Sequence, residues 1–309
     1  MEKTAIVVLN WNNWEDSKVC IDSLLQMSCR SFDIYFVDNN SEDGSVEKIV
    51  SFLKEKNIDY VYVDFRTAIQ QVDNQKIVVF IIKNEKNIGY TGGNNSAIKL
   101  ILRSDYKFIW ILNNDTIVDR EALCNLIKCY RDATYLGIKV GAIGSLLKHF
   151  DGKIQTYCGL RLIPFIGNSY FLKKNSNIDY VCGASLFIPV SILQEIGLFD
   201  ERFFLYWDDA DIGLRIRKSG SKLLCCSESV VFHKEGGTTG GINKLTDYYW
   251  VRNGLLFTLK HYPYFLPFVF ISYLVKYLIV RALKRQPKNI DSLLKGIFDF
   301  FNGKFGQKR

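Results

Sequence analysis

The chain has 309 residues, of which 48% are hydrophobic and 23% are charged, and its formal net charge is +8. This length and composition fit one large domain, or one domain with an appendage, that can bury a sizeable core. Eight cysteines in a chain of this length exclude a small disulfide-framework protein. The basic excess is concentrated in residues 281–309, which predicts an anionic partner, either nucleic acid or anionic lipid.

The cysteines are scattered along the chain and form no C-x-x-C pair. We therefore expect reduced, mostly buried thiols in a cytosolic protein, and no zinc site. The first residues, MEKTAIVVLNWNN, do not look like a signal peptide, because their apolar run is short and opens a strand.

The first half of the chain alternates between strand patterns and helix patterns. The predicted strands are residues 4–9, 33–37, 58–63, 76–82 and 108–112, and the predicted helices are residues 15–27, 45–54, 96–102 and 119–130. A polar insertion without a clear period occupies residues 66–75. The alternation predicts a mostly parallel sheet with right-handed crossovers.

The turn after the first strand reads Asn10-Trp11-Asn12-Asn13 and has none of the glycines of a dinucleotide-binding fingerprint. The glycines come later, in a predicted loop at residues 84–95 that contains GYTGG. Because that loop opens a predicted helix, its backbone amides are able to hold a diphosphate. The pattern argues against a dinucleotide-binding Rossmann domain.

The apolar run at residues 108–112 predicts a strand buried on both faces. It ends in Asn113-Asn114-Asp115-Thr116, which places a carboxylate and two amides at the carboxyl end of a buried strand. Open α/β sheets bind their ligands at that edge. The alternative is a polar turn that only ends the strand, since Asn and Asp are common turn residues.

From residue 139 the pattern is mixed, with short apolar runs at residues 141–147, 154–162 and 180–189. The segment GLFDERFFLYWDDADIGLRIRKSG then predicts a helix with Asp208, Asp209 and Asp211 in its first turn. The alternative is a helix whose charges only complement its dipole. Carboxylates directly after the aromatic run Phe203–Trp207 instead favour a sugar-binding catalytic cleft. A further strand at residues 223–232 ends at His233.

Five blocks in this order resemble the family-two inverting glycosyltransferases, which have the GT-A fold. They are IVVLNWNN, VDNNSEDGS, NIGYTGGNN, ILNNDT, and GASLFI with GLFDERFFLYWDDADIGLRIRKSG and VFHKEGG. The resemblance covers roughly residues 3–260 and is nearest to the bacterial rhamnosyltransferase-like subgroup. Asn113-Asn114-Asp115 departs from the D-x-D metal motif, and Asp208-Asp209 departs from the frequent Glu-Asp. The chain lacks Q-x-x-R-W and multiple membrane spans, so it does not look like a processive synthase.

The resemblance implies an α/β protein with a mostly parallel central sheet flanked by helices and a C-terminal helical appendage. Residues 1–245 are expected to form the catalytic domain, with residues 1–119 as the nucleotide-sugar half and residues 120–245 as the acceptor half. Residues 246–309 are expected to be helical. The implied donor is a nucleoside-diphosphate sugar, either dTDP-rhamnose or a UDP-sugar.

Most of the predicted site residues belong to the donor side. Asp38 is expected to accept hydrogen bonds from the base or ribose, with a turn cap as the alternative. Asp115 is expected to bind a divalent metal, Mg or Mn, that bridges the phosphates. His233 is expected to ligate that metal or to be a structural histidine. The other predicted donor-site residues are Asn10, Asn40, Asn87, Gly89, Gly93, Asn94, Asn113 and Asn114.

On the acceptor side, Asp209 is expected to be the general base that takes the proton from the acceptor hydroxyl. Asp208 and Asp211 are expected to position the acceptor or the helix, and Trp207 belongs to the predicted aromatic wall of the acceptor site. A second hypothesis is a catalytically silent sugar-nucleotide or glycan-binding module on the same fold. A nucleotidyltransferase ranks low, because no glycine-rich loop with Arg and Lys follows the first strand.

Residues 262–280 read YPYFLPFVFISYLVKYLIV, which is close to the ~20 residues needed to span a membrane. Pro263, Pro267 and Lys276 interrupt the run, so we expect an in-plane helix on the inner face of the cell membrane, with its cations on anionic headgroups. That placement suits a polyprenyl-diphosphate-linked acceptor and no nucleic acid. The alternative is a helix packed on the catalytic domain or on a second copy in a homodimer.

Overall fold

The computed structural model describes residues 2–63, 76–174, 177–234, 244–283 and 290–308. In these residues, strands β1 to β13 span Thr4–Asn10, Phe32–Asp38, Asp59–Tyr62, Val78–Lys83, Phe108–Asn113, Thr116–Val118, Val140–Lys148, Ile154–Tyr157, Gly159–Ile163, Asn168–Phe171, Tyr180–Val181, Ser185–Pro189 and Lys222–His233. Helices α1 to α9 span Trp14–Leu25, Ser45–Glu55, Gly89–Ile101, Ala122–Tyr135, Val190–Ile196, Asp208–Lys218, Lys244–His261, Leu266–Leu283 and Ile290–Phe301. The predicted insertion at residues 66–75 and the basic residues Lys284, Arg285 and Lys288 lie outside the described residues.

One large sheet organises the fold, with strand order β3-β4-β2-β1-β5-β12-β7-β13-β6 and β8 paired to β7. The strands from β3 to β5 are all parallel, β12 is antiparallel to both of its neighbours, and β13 is again parallel to β7. The predicted α/β fold with a mostly parallel sheet is confirmed. β9, β10 and β11 form a separate antiparallel sheet.

Strand β5 lies in the middle of this sheet and is buried on both faces. Trp110 and Leu112 point into the core on one side, and Ile109 and Ile111 point into the core on the other. Alternate side chains of a strand face opposite sides of a sheet, so an unbroken apolar run is what a strand covered by helices on both faces requires.

Helix α3 differs from its prediction, because it begins at Gly89 rather than at residue 96. Glycine and asparagine are poor helix formers, and they made this stretch resemble a loop. Tertiary packing overrides that propensity. A Cβ atom on Gly93 would lie 2.4 Å from Cδ1 of Leu9, so the glycine allows the first turns of α3 to lie directly against β1.

The C-terminal helices α7, α8 and α9, here called the C-terminal unit, share a core with the preceding elements. That core contains Leu160, Trp207, Leu255, Tyr273 and Phe300. The expected boundary at residue 245 falls inside α7. The predicted helical character is therefore present, but the unit packs on the rest of the chain. None of the described helices has both the length and the apolar character needed to cross a bilayer.

One expectation about the cysteines is wrong, because Cys158 and Cys225 form a disulfide with a Cα–Cα distance of 5.2 Å. The two residues are 67 positions apart in the sequence, so no local motif marks them. Cys225 is paired with Gly144 on β7, and a Cβ on Gly144 would lie 2.2 Å from the carbonyl oxygen of Cys158. The glycine thus allows the two cysteines to approach. The other six are free thiols.

Candidate active site

The carboxyl ends of β1 and β2 lie side by side, with Asn10 opposite Asp38. Asn10 Nδ2 donates to Asp38 Oδ1 at 3.0 Å, and the backbone N–H of Ser41 donates to Asp38 Oδ2 at 2.9 Å. Ser17 Oγ donates to Asn10 Oδ1 at 2.8 Å. Asp38 therefore caps the turn after β2, and this cap fixes a buried carboxylate at the ligand-binding edge of the sheet.

Asn39 joins this edge to the segment before α3, and the sequence analysis had not singled it out. Its Nδ2 donates to Asn87 Oδ1 at 2.9 Å and to the Gly89 carbonyl at 3.1 Å. Its Oδ1 accepts from Asn84 Nδ2 at 3.1 Å and from the Ile88 N–H at 3.2 Å. Asn40, which had been singled out instead, adopts a left-handed turn conformation with φ +61°. The D-N-N sequence marks the turn but does not show which asparagine points inward.

The start of α3 carries a buried polar group that a ligand can satisfy. Asn94 is completely buried, and its Nδ2 donates to the Tyr90 carbonyl at 2.9 Å. Its Oδ1 has no hydrogen-bond partner among the described residues. A buried acceptor without a partner costs free energy, so a site of this kind suits a ligand hydroxyl.

Asn113 at the end of β5 and the two residues after it have different surroundings. Asn114 is a structural link, since its Nδ2 donates to Ser17 Oγ at 2.9 Å and to the Asn13 carbonyl at 3.3 Å. Asn113 Nδ2 lies 3.4 Å from His233 Nε2, and Asp115 Oδ1 lies 3.3 Å from the same nitrogen. The ends of β5 and β13 therefore bring Asp115 and His233 together.

These two side chains fit a divalent cation. His233 Nδ1 lies 3.0 Å from Gln155 Oε1. A metal-binding His233 would donate its Nδ1–H to this oxygen and present the Nε2 lone pair to the cation. An imidazole nitrogen beside a carboxylate oxygen is a metal-ligand pair. The described part of the chain contains no group of three or more His, Cys, Asp or Glu side chains that could hold a metal ion, here or elsewhere, so this pair would supply only two such ligands. Phosphate oxygens would have to supply further ligands, as is usual for Mg²⁺.

Asp208 and Asp209 begin α6, and their carboxyl groups differ in burial. Asp209 is partly exposed, and desolvation of its carboxyl group raises its pKa to about 6, against the lowering effect of the Gly183 and Ala210 N–H groups. Asp208 is buried, and burial and the charge of Asp209 raise its pKa well above the ordinary range. Asp209 is the more exposed of the two and has two backbone N–H groups that stabilise its anion, so it is the better placed of the pair to accept a proton.

A short connection before β12 links this carboxylate to the donor side. The Gly183 N–H donates to Asp209 Oδ2 at 3.3 Å, and the Gly183 carbonyl accepts from the Tyr90 hydroxyl at 2.8 Å. The neighbouring carbonyl of Ala184 accepts from the Asn113 N–H at 3.2 Å. Gly183 therefore connects Asp209 to the start of α3, and the adjacent Ala184 is bonded to the end of β5.

Two predicted acceptor residues have structural roles instead. Trp207 is only 4% exposed, its Nε1 donates to the Trp250 carbonyl at 3.0 Å, and its ring packs on Phe257. Its ring is thus part of the core and is not a sugar-stacking surface in this structure. The sequence pattern could not separate the two roles, because both require an aromatic residue.

Asp211 is also a structural residue. It accepts from Arg215 Nε at 2.9 Å and from His261 Nε2 and Lys260 Nζ at 2.7 Å, and so joins α6 to α7. Burial raises its pKa, but the His261 hydrogen bond and the charges of Arg215 and Lys260 outweigh burial and hold the pKa below its ordinary value. An acceptor role is therefore not supported for Asp211.

Comparison with known proteins identifies the family of this chain. The model of the family "Glycosyl transferase family 2" matches residues 5–197. The chain belongs to glycosyltransferase family 2. The match ends before Asp209 and His233, so the roles of these two residues depend on the geometry above.

The relatives of this family-two chain act in glycan assembly. It is 23% identical over 163 residues to the low-salt glycan biosynthesis hexosyltransferase Agl10 of Haloferax volcanii. That alignment covers 51% of this chain and 52% of Agl10, so the chain spans about half the length of this relative. It is 23% identical over 239 residues to an N-acetylglucosaminyl-diphospho-decaprenol L-rhamnosyltransferase of Mycobacterium tuberculosis, covering 68% of this chain and 69% of the relative.

Solved structures confirm the predicted GT-A fold. A mannosyltransferase from Pyrobaculum calidifontis, in complex with GDP-Man and Mn²⁺, superposes with a TM-score of 0.60 at 12% identity, covering 98% of this chain and 88% of that one. TarS 1–349 of S. aureus, in complex with UDP-GlcNAc, gives a TM-score of 0.59 at 14% identity, with coverages of 97% and 81%.

The Asn39 network yields a stability prediction. Asn39→Ala leaves several buried donors and acceptors without partners, so we expect the free energy of unfolding to fall by about 2–4 kcal/mol in urea titrations at pH 7. The matched control is Asn40→Gly, because glycine accepts the left-handed backbone of that turn, and its effect should stay within about 0.5 kcal/mol. Equal stability of Asn39→Ala and the parent protein would show that the network is not a structural link.

Proposed function

We propose that this chain is an inverting glycosyltransferase that moves a sugar from a nucleoside-diphosphate sugar to a glycan or lipid-linked glycan. The proposed donor is dTDP-rhamnose or a UDP-sugar, and the proposed process is the synthesis of bacterial cell-surface polysaccharide such as O-antigen or capsule. The observation that carries the proposal is Asp209, a carboxylate with a pKa of about 6 held beside both the start of α3 and the end of β5.

In the proposed reaction, Asp209 accepts the proton of the acceptor hydroxyl as that oxygen attacks the anomeric carbon. The bond between the anomeric carbon and the diphosphate breaks on the opposite face, and the nucleoside diphosphate leaves with the bonding electrons. One direct displacement inverts the anomeric centre. Asp208 is buried, and burial and the neighbouring charge of Asp209 raise its pKa, so Asp209 is proposed as the proton acceptor of the pair.

On the donor side, Asp38 is proposed to contact the base or ribose. Asn94 Oδ1 is proposed to accept a hydrogen bond from a donor hydroxyl, since it is buried without a partner. The first two N–H groups of α3 are not proposed to hold the diphosphate, because that of Gly89 donates to Asn87 Oδ1 at 2.9 Å and that of Tyr90 donates to the Phe204 carbonyl at 2.7 Å. Asn87, Gly89 and the other predicted donor residues adjoin the same edge of the sheet.

Asp115 and His233 are the residues that would hold a divalent cation, Mg²⁺ or Mn²⁺. Such a cation, when bound, supplies positive charge that stabilises the leaving diphosphate. Their contact at 3.3 Å and the orientation of the imidazole by Gln155 support this proposal. The complexes of related folds with Mn²⁺ also support it.

The second candidate is a silent sugar-nucleotide or glycan-binding module, which the single carboxylate of Asn113-Asn114-Asp115 motivates. Incubation with a panel of radiolabelled sugar nucleotides and a lipid-linked glycan acceptor separates the two. We expect release of the free nucleoside diphosphate and labelled glycan with at least one donor. Binding of sugar nucleotides without any release would favour the silent module.

The assignment of the base predicts the behaviour of Asp209→Asn. The change is isosteric and removes only the proton acceptor, so we expect kcat to fall by about 10²–10⁴-fold while the dissociation constant of the donor stays within about twofold. Steady-state kinetics and calorimetric titration of the donor measure the two quantities. Because the base must be ionised, kcat of the parent enzyme should fall as the pH drops below about 6.

Asp208→Asn is the matched control, since it makes the same isosteric change at the neighbouring, more deeply buried carboxyl group. We expect it to retain most of the parent activity at pH 7. If Asp208→Asn is inactive and Asp209→Asn turns over normally, the base is Asp208.

The proposed cation site predicts the behaviour of Asp115→Ala. Loss of the carboxylate should weaken donor binding measured with Mg²⁺ or Mn²⁺ and remove the difference between metal-loaded and chelator-treated protein. The comparison is made by titrating the donor with and without EDTA for both proteins. Full activity of the parent protein in EDTA would contradict the metal proposal, and cationic side chains would then have to stabilise the diphosphate.

We further propose that the C-terminal unit holds the protein on the inner face of the cell membrane. The outer side of α8 exposes Phe268, Ile271 and Val275 at helical spacing, with Tyr264 90% exposed just before it. Phe298 and Phe301 of α9 are exposed as well, and Phe301 packs near Phe270 of α8. A surface of exposed aromatic and aliphatic side chains on neighbouring helices is typical of an interface.

Cations border this surface. Lys276 and Lys304 are exposed, and Lys304 Nζ lies 5.9 Å from the centre of the Phe298 ring. Lysines beside exposed aromatic residues match an anionic headgroup layer over an apolar layer. This placement would bring the site to an acceptor on a polyprenyl diphosphate. A homodimer through the same surface is the alternative.

The test uses substitutions rather than deletion of residues 262–309, because α9 packs on α7. Phe268→Glu with Ile271→Glu should abolish sedimentation of the protein with vesicles of anionic phospholipid at low salt. Tyr135→Glu, which changes an exposed residue of α4, is the control and should sediment with the vesicles like the parent protein. High salt or mild detergent should release the parent protein from the vesicles. A parent protein that stays in the supernatant contradicts the membrane proposal, and a dimer disrupted by the same substitutions would favour the alternative.

A further inference from the structure

The segment Phe203–Trp207, here called the base loop, leads directly into the helix that carries Asp209. Phe204, Tyr206 and Trp207 have φ values of +61°, +65° and +68°. Residues other than glycine rarely adopt this left-handed backbone conformation, and aromatic residues are no exception. Three such residues in four positions persist only where the surroundings hold the backbone in place.

Two adjacent residues of α7 provide that hold. Asn253 Nδ2 donates to the Leu205 carbonyl at 2.6 Å, to the Tyr206 carbonyl at 3.4 Å, and also to the Phe203 carbonyl. Arg252 Nη2 donates to the Phe203 carbonyl at 3.4 Å, and Arg252 Nε donates to Asn253 Oδ1 at 2.9 Å. The guanidinium thus fixes the orientation of the amide, and the amide binds the loop carbonyls.

The environment of Arg252 is unusual for a buried cation. Its side chain is fully buried, and its hydrogen bonds among the described residues go to neutral acceptors rather than to carboxylates. Its acceptors are Asn253, the Tyr248 hydroxyl and the backbone carbonyls of the base loop, Arg202 and Gly306, and it lies over the Tyr248 and Tyr249 rings. Burying a charge costs free energy, and the hydrogen bonds from Arg252 to these carbonyls offset that cost. Binding these carbonyls is therefore the structural role of the arginine.

The opposite side of the base loop touches the donor helix. The Phe204 carbonyl accepts from the Tyr90 N–H at 2.7 Å. Gly89 has φ +79°, and a Cβ there would lie 2.5 Å from the Phe204 carbonyl oxygen. The loop is therefore enclosed between α7 and α3, and its end fixes where α6 begins.

We infer that Arg252 and Asn253 are positioning residues for the reaction, holding the base loop so that the Asp209 carboxylate lies against Gly183. The inference rests on the proposed function, and it makes the C-terminal unit part of the active site rather than an attachment. Neither side chain touches the substrate in this account. Both act through the backbone that precedes the base.

Asn253→Asp tests the inference, because it keeps the shape of the side chain and removes the donors. We expect kcat to fall about 10- to 100-fold, since small misplacements of a reacting group have effects of this size. KM for the donor should stay within about twofold of the parent value. The acidic limb of the kcat–pH profile should move to higher pH, because the Gly183 N–H that stabilises ionised Asp209 is no longer aligned.

Tyr273→Phe is the matched control. It removes a buried hydrogen bond from the Tyr273 hydroxyl to the Gly167 carbonyl at 2.7 Å within the same C-terminal unit and leaves the base loop intact. Its kcat and pH profile should equal those of the parent. Arg252→Lys keeps the charge but loses the several N–H donors of the guanidinium, so it should lower kcat as Asn253→Asp does. If the buried carboxylate of Asn253→Asp prevents folding, Asn253→Ala replaces it.

Amide hydrogen exchange separates this inference from the proposed function, because it needs no turnover. In Asn253→Asp, the backbone amides of residues 203–209 should exchange faster than in the parent protein, and those of β1 and β5 should exchange at the parent rate. This result is expected even if no donor is found. Parent-like exchange in the base loop, or parent-like kcat and pH profile in Asn253→Asp and Asn253→Ala, overturns the inference. Faster exchange with no transfer by the parent enzyme would instead overturn the proposed function alone.

Discussion

The pairing of β12 with β5 is the constraint on which the site depends. It places Gly183 and Ala184 beside Asn113, and Gly183 then binds both the Asp209 carboxylate and the Tyr90 hydroxyl. One turn of backbone thus connects Asp209, helix α3 and the strand end that leads to Asp115. Elements that come from distant parts of the sequence meet there because the sheet brings the ends of its strands to a common edge.

The sequence predicted the sheet because its signals are local. Apolar runs such as residues 108–112 identify buried strands, and polar residues directly after them identify the binding edge. The family match and the GT-A fold follow from five such blocks in order. Asp209 and Asp208 also stood out at the start of a helix, but only the structure distinguishes them, through a difference in burial that the sequence does not contain.

What the sequence could not distinguish depends on long-range packing. The sequence of residues 89–95 resembles a loop. In the structure these residues are helical, because Gly93 packs against Leu9 and Gly89 packs against Phe204, where a larger residue would not fit. The sequence around Trp207 is the same whether its ring stacks on a sugar or packs on Phe257. The sequence around Asp211 is likewise the same whether its carboxylate contacts an acceptor or His261. Asn39 and the Cys158–Cys225 bond depend on partners 45 or more residues away, for which no motif exists.

The central claim is that a hydroxyl activated by Asp209 displaces the diphosphate directly. Proton NMR of the product formed from one identified donor and acceptor tests this claim through the anomeric configuration of the transferred sugar. The account predicts the configuration opposite to that of the donor, from the first turnover onward. A product with the donor's configuration would contradict single displacement and would require a second nucleophile at the site.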